Sequence, residues 1–133
     1  MPNMADIVVK KADGSTDITF TQVVAAAGDK SPAVWRSNSV GSAAGFHPEL
    51  RCSSRQNGTN TARVVDLSYS YPSLVTSTDT GTTSVSKRFN VTLSASLPLE
   101  MPQTDIDEAA AQLTNLIDST LIVSVLKAGY APV

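Results

Sequence analysis

Three polar side chains, Arg51, Ser53 and Arg55, alternate with less polar neighbours in the middle of the chain. Residues at every second position lie on one face of a β-strand. Arginine can neutralise phosphate, and hydroxyl groups can hydrogen-bond to exposed bases. The stretch therefore predicts a strand with one face suited to a polyanion, although the same side chains would also keep an exposed sheet face hydrated.

The charges are unevenly distributed along the 133 residues, whose formal net charge is −2. Positions 30 to 88 hold seven basic and three acidic residues, whereas positions 100 to 127 hold five acidic residues and one lysine. If the two parts form opposite faces of one layer, only one face would suit a polyanion such as a nucleic acid.

Two further stretches, 65–71 and 88–97, alternate in the same way, with apolar side chains at their odd positions. We expect two strands that end at Pro72 and Pro98, because proline cannot donate to a strand ladder. With residues 49–55 they predict an antiparallel sheet with one apolar and one polar face. The polar positions are Asp66, Ser68 and Ser70 in the first stretch and Arg88, Asn90, Thr92, Ser94 and Ser96 in the second.

The N-terminal part predicts a β-hairpin over residues 1–24. Apolar runs at 7–10 and 16–23 flank Asp13-Gly14, a dipeptide typical of tight turns between strands. This hairpin would precede the main sheet.

The main sheet is predicted over residues 32–98. It begins with a short strand at 33–37 that holds the only tryptophan, continues after a loop at 41–48, and turns at Asn57-Gly58. Residues 73–83 are mostly small and polar, and they predict a mobile loop before the last strand.

The pattern changes to helical spacing over residues 104–128. Thr104 is a candidate N-cap, and a break at 118–120 precedes a second helical run that stops at Gly129. Strands followed by helices are typical of an α+β fold. The chain is therefore predicted to form a single α+β domain over residues 1–133.

Several function classes find no support in the sequence. The single cysteine, Cys52, excludes an internal disulfide, and His47 has no second ligand that would suggest a zinc site. The acidic residues at 105–108 suit a helix N-terminus better than a metal site. No nucleophile motif or phosphate-binding glycine loop is present, so we expect no enzyme, no cofactor and no small-molecule substrate.

Composition also bears on location and partners. No stretch approaches the roughly 20 apolar residues that span a bilayer, and the first residues lack a signal-peptide pattern, so we expect synthesis in a cytoplasm and no membrane partner. Aromatic residues make up only 5% of the chain, which leaves little material for a core. Part of the apolar surface is therefore expected to be covered by a partner subunit.

A set of short motifs occurs in a fixed order along the chain. They are Trp35-x-Ser37-Asn38-Ser39, Cys52-Ser53-x-Arg55-Gln56, the Pro72 stop, and Arg88-x-x-x-x-Leu93 leading to Leu97-Pro98. In order, spacing and total length they resemble the coat proteins of single-stranded RNA bacteriophages, the levivirus-like phages. The resemblance covers nearly the whole chain.

This resemblance implies a five-stranded sheet, with an N-terminal hairpin and two C-terminal helices, in an intertwined homodimer whose sheets join edge to edge. Such dimers would assemble in the bacterial host cytoplasm into an icosahedral T=3 capsid, a virion with packaged RNA against the inner sheet face. The loop at 73–83 would cluster around symmetry axes. The same sheet face could also bind a hairpin of the genomic RNA and repress translation.

The resemblance also assigns candidate RNA contacts on three strands. The best-known members carry a lysine and a base-stacking tyrosine on this face, whereas this chain has Asp66 or Ser68, and Asn90; each stacked base is worth about 1–3 kcal/mol. Asp66 could instead pair with Arg51 across the strands. The implied RNA-binding residues are Arg51, Ser53, Arg55, Arg63, Asp66, Ser68, Arg88, Asn90 and Thr92.

One alternative function stays open beside the capsid. Another self-assembling, β-rich structural subunit, such as a tail, tube or compartment protein, would explain the thin core and the polar loop without RNA binding. It would leave the basic sheet face unexplained. An enzyme, the third class considered, would require catalytic residues that the sequence does not suggest.

Overall fold

The computed structural model describes residues 2–39 and 43–133, so part of the loop expected at 41–48 lies outside the described residues. The chain divides into two compact units, Met1–Ser96 and Leu97–Val133. Whether it behaves as the single domain predicted from sequence stays a prediction. The elements are β1 (Ile7–Lys10), β2 (Asp17–Val24), β3 (Ala33–Arg36), a short 3-10 helix (Ala44–Phe46), β4 (Glu49–Gln56), β5 (Ala62–Thr76), β6 (Thr83–Pro98), α1 (Gln103–Ile117) and α2 (Thr120–Ala128).

The six strands follow one another in sequence order across an antiparallel meander. The N-terminal hairpin is confirmed, with Ile7 opposite Phe20 and Lys10 opposite Asp17. Because β2 also pairs with β3, the hairpin belongs to a continuous six-stranded sheet rather than standing before a five-stranded one. The pairing of β2 with β3 has a register shift between Gln22 and Val24.

The hairpin turn is held by the side chain of Asp13. Its Oδ1 accepts hydrogen bonds from the backbone N–H groups of Ser15 and Thr16, both at 2.9 Å, and its Oδ2 accepts one from the Thr16 hydroxyl at 2.6 Å. Gly14 has a φ of 74°, which L-residues with a side chain rarely adopt. The Asp-Gly pair thus fixes the turn that the sequence predicted.

β4 and β5 pair over their full common length, from Glu49 opposite Ser70 to Gln56 opposite Arg63. The predicted turn between them is present, and the Asn57 Oδ1 closes it by accepting from the N–H of Thr61 at 2.9 Å. This register places alternate residues of the two strands on common faces, as the sequence pattern predicted.

The prediction that Pro72 ends its strand is wrong. β5 continues to Thr76, and the Pro72 side chain is fully buried. The ladder between β4 and β5 stops at Ser70, so beyond that point no β4 residue requires a backbone donor from β5. The predicted loop at 73–83 is correspondingly too long, since the connection between β5 and β6 spans only residues 77–82.

The buried hydrophobic core of the described residues is small. Its side chains are those of Phe20, Ala33, Val34, Ala62 and Val64. The Phe20 ring packs edge-on against Tyr69, with 6.2 Å between ring centroids. Many large apolar side chains remain exposed, in agreement with the thin core inferred from composition.

Two helices form the second unit, but α1 begins one residue before the predicted cap. Thr104 lies inside the first turn, and Pro102 precedes the helix without a side-chain cap. The predicted break is present at Ser119, and Gly129 ends α2 in the left-handed conformation, with a φ of 80°. Among the described residues, no single helix is long and apolar enough to cross a bilayer; α1 and α2 reach the required length and composition only as a pair bent by 55°.

Candidate nucleic-acid interface

The polar face of the sheet is formed by β4, β5 and β6. Arg51 lies opposite Ser68, and Ser53 lies opposite Asp66. On β6, the Ser94 hydroxyl donates to Asp66 Oδ1 at 2.8 Å, which places the even-numbered residues of that strand on the same face. The face therefore brings together eight of the nine predicted contacts: Arg51, Ser53, Arg55, Asp66, Ser68, Arg88, Asn90 and Thr92.

Arg63 lies on the other face, opposite Gln56. Its two terminal nitrogens donate to the Asp29 carboxylate at 2.7 and 3.0 Å, and one also donates to Ser54 Oγ at 3.3 Å. The hydrogen bond from Arg63 lowers the pKa of Asp29, and the pKa of Arg63 is raised in return. The sequence pattern alone could have shown this, because Arg63 and Asp66 are an odd number of positions apart on one strand and so lie on opposite faces.

Arg55 and Asp66 form a diagonal ion pair on the polar face, with 3.5 Å between Nε and Oδ2. The suggestion that Asp66 pairs with Arg51 is therefore wrong. Arg51 is closer to Glu49, two positions earlier on the same strand and face, and its Nη2 lies 3.2 Å from Glu49 Oε1. Arg51 therefore contacts Glu49 on its own strand instead of Asp66 on the neighbouring strand.

Arg36 is a further basic residue on this face that sequence reasoning did not assign to the site. It lies opposite Glu49 on β3, and its Nε is 3.5 Å from Glu49 Oε1. Glu49 thus has an arginine on each of two strands. The sequence did contain a signal for Arg36. It directly follows Trp35, and neighbours along a strand point to opposite faces of the sheet.

The Arg88 side chain links β6 to the 3-10 helix that precedes β4 and to β5. Its guanidinium donates to the Gly45 carbonyl oxygen at 3.0 Å and to Ser70 Oγ at 3.3 Å. Further along β6, Asn90 and Thr92 are exposed and offer an amide and a hydroxyl group. The face thus presents guanidinium, amide and hydroxyl groups side by side, a combination that can bind both phosphate oxygens and base edges.

On the opposite face, an apolar part formed by Leu50, Cys52, Leu67 and Tyr69 lies beside the polar end that holds Ser54 and Arg63. Burial, together with the charge of Asp66, raises the pKa of the Cys52 thiol. Burial likewise raises the pKa of Tyr69. In both cases the apolar surroundings disfavour the charged form.

An antiparallel meander followed by two C-terminal helices matches the fold of the RNA-phage coat proteins. A virus-like particle of Beihai levi-like virus 21 has a TM-score of 0.83 to this chain at 18% identity, with 99% of each chain covered. A virus-like particle of bacteriophage ESE058 gives 0.79 at 18% identity, covering 99% of this chain and 100% of the other. The bacteriophage GA capsid protein gives 0.76 at 16% identity over 95% of each.

At these identities the likeness is one of fold. No protein-family model matches the chain, and no curated protein matches it in sequence. The fold class predicted from sequence is confirmed, with six strands in the sheet that the described residues form rather than five.

Proposed function

We propose that this chain is the structural subunit of an RNA-phage capsid, which dimerises, assembles into an icosahedral shell and packages single-stranded RNA against its polar sheet face. The observation that carries this proposal is the gathering of four arginines with amide and hydroxyl groups on one face of a coat-protein fold. The role is structural, without catalysis. The mature location would be the virion, after assembly in the host cytoplasm.

Exposed apolar surface supports the dimer. No residue of α1 or α2 is buried, although both helices carry large apolar side chains. Helices with apolar stripes normally bury them against another element, so the free chain is incomplete. A second copy is the partner that the coat-protein fold suggests. The exposed apolar side chains of the helices are Leu113, Leu116, Ile117, Leu121 and Leu126.

The ion pairs on the polar face leave it able to bind RNA. In the Arg55–Asp66 pair the two side chains are 44% and 35% exposed, and such pairs contribute about 0–1 kcal/mol each. Each guanidinium has five N–H groups, of which one carboxylate contact occupies one or two. Phosphate oxygens can therefore displace or share these contacts at small cost.

The proposal extends to two finer roles. The residues that connect β5 and β6 would meet around the symmetry axes of the shell, and the polar face would bind a hairpin of the genomic RNA to repress translation. The face lacks an aromatic platform among its assigned residues, so hairpin recognition would rest on hydrogen bonds from Ser68, Asn90 and Thr92 rather than on stacking.

Expression in bacteria followed by electron microscopy tests the assembly. Uniform hollow particles whose ultraviolet absorbance shows nucleic acid would support both parts of the proposal. Soluble dimers or tubes without nucleic acid would favour a self-assembling structural subunit that does not bind RNA. Single chains that neither dimerise nor assemble would overturn the proposal.

Reversal of one charge tests the RNA face. Arg55→Glu should lower affinity for single-stranded RNA by about tenfold, because it removes one phosphate contact and adds a repulsive charge. Arg63→Glu is the matched control, since it makes the same charge change on the opposite face. Equal losses of packaged RNA in the two variants, with dimers intact, would contradict the assignment of the polar face.

A further inference from the structure

Every arginine on the β3–β4 part of the polar face lies beside a carboxylate. Glu49 Oε1 is 3.2 Å from Arg51 Nη2 and 3.5 Å from Arg36 Nε. Asp66 Oδ2 is 3.5 Å from Arg55 Nε. Three arginines and two acids thus share one surface, so that most of the positive charge is already balanced within the protein.

The sheet register holds both acids on this face. Glu49 lies between Arg36 on one neighbouring strand and Ser70 on the other. Asp66 lies opposite Ser53 and accepts a hydrogen bond from the Ser94 hydroxyl at 2.8 Å. The carboxylates therefore project toward the same space that an RNA strand bound to the arginines would occupy.

We propose that Glu49 and Asp66 act as built-in counterions, which compete with RNA phosphates for Arg36, Arg51 and Arg55 and so weaken binding of any RNA that offers charge alone. This inference rests on the proposed RNA-binding function and adds a source of specificity to it. The ligand discriminated against is unstructured single-stranded RNA.

The physical basis is the difference between charge and hydrogen bonding. RNA bound by charge alone gains affinity from phosphate neutralisation and counterion release, and both gains shrink where a fixed carboxylate remains beside the arginine. RNA whose bases also reach Ser53, Ser68 or Asn90 gains contacts that the carboxylates do not oppose. The two acids thus weaken the part of RNA binding that comes from phosphate charge and leave the part that comes from hydrogen bonds to bases.

Neutral, nearly isosteric substitutions test this inference. Glu49→Gln and Asp66→Asn should each tighten binding of a short labelled oligouridylate by roughly two- to fivefold, the range expected when one carboxylate is removed from surface ion pairs. Between about 50 and 200 mM salt, each should also steepen the salt dependence by about 0.7, because one more counterion is released on single-stranded RNA. Asn at position 66 keeps an oxygen that can accept from Ser94.

Asp29→Asn is the matched control. It makes the same change in net charge and also frees an arginine, Arg63, but on the opposite face. Its oligouridylate affinity should equal that of the wild type. All variants are compared as dimers with unchanged circular dichroism.

The outcomes separate this inference from the function on which it rests. If the wild type binds RNA but Glu49→Gln and Asp66→Asn show no higher oligouridylate affinity, the counterion role is overturned and the RNA face stands. The same holds if Asp29→Asn raises the affinity equally. No RNA binding by the wild type or by any variant at low salt would overturn both.

Discussion

The indole Nε1–H of Trp35 donates to the backbone carbonyl oxygen of Ala5 at 2.8 Å, across 30 positions of sequence. Asp6, the next residue, accepts from the Gln22 backbone N–H at 2.9 Å through its carboxylate. The segment before β1 is thus attached to both β2 and β3 near the register shift at Gln22. The only tryptophan of the chain acts as an anchor for its N-terminal segment.

Replacement of this anchor should lower stability. We expect Trp35→Phe to reduce the free energy of unfolding by about 1–2 kcal/mol, since it removes one hydrogen bond and part of a half-buried ring. Urea denaturation followed by circular dichroism, at one fixed protein concentration, measures the change. Tyr130→Phe is the control, because Tyr130 is 80% exposed and should leave the midpoint unchanged. Equal midpoints in Trp35→Phe and the wild type would show that the anchor contributes nothing.

The hairpin turn should be sensitive to acid through Asp13. The hydroxyl of Thr16, followed by the backbone N–H groups of Thr16 and Ser15, lowers the pKa of Asp13 from 3.8 to about 2. A lowered pKa in the folded state means that the carboxylate stabilises the fold above pH 3.8 and that this contribution is lost as the pH falls toward 2. The Asp13 carboxyl resonance should therefore titrate with a midpoint of about 2 in the folded protein.

Thr16→Val provides the comparison for this titration, because it removes the hydroxyl donor and keeps the backbone donors. The Asp13 midpoint should then rise toward 3.8. A midpoint that stays at the same low value would show that the backbone groups alone hold the carboxylate in its charged form.

The connection between β5 and β6 should be dispensable for the sheet and important for assembly. The Thr76 and Thr83 hydroxyls on either side of it are 3.0 Å apart, so the strands are already in register there. Replacement of residues 77–82 by Asn-Gly, which favours a two-residue turn, should preserve dimers and their circular dichroism and change particle size or shape. Asp79→Ser changes the composition of the connection at constant length and serves as the control. Particles of wild-type geometry from the shortened chain would contradict a role in shell geometry.

The alternation of polar and apolar residues was the most informative part of the sequence. It predicted which side chains of β4, β5 and β6 share a face, because side-chain direction has a period of two and needs no knowledge of the partner strand. The ion pairs were not predictable in the same way. The choice of Arg55 rather than Arg51 as the partner of Asp66 depends on strand register and on the competing carboxylate of Glu49.

Element ends were the least predictable feature. Pro72 carries a strong local signal to end a strand, yet its effect depends on whether a neighbouring strand needs the missing donor at that point. Thr104 has a cap-forming side chain, but the helix begins one position earlier, after Pro102. In both cases the neighbouring strand or residue, rather than the conformational preference of the residue itself, decided where the element ends or begins.

A single hydroxyl sets the junction between the two helices. Ser119 Oγ donates to the Leu116 carbonyl oxygen at 2.6 Å and accepts from the Ile122 backbone N–H at 3.4 Å, so it closes α1 and opens α2 at once. The bend of 55° is therefore encoded within a few residues rather than imposed from outside. A helical elbow formed in advance loses little conformational entropy when its apolar side chains are covered, which makes whatever covers them bind more tightly and in a defined geometry.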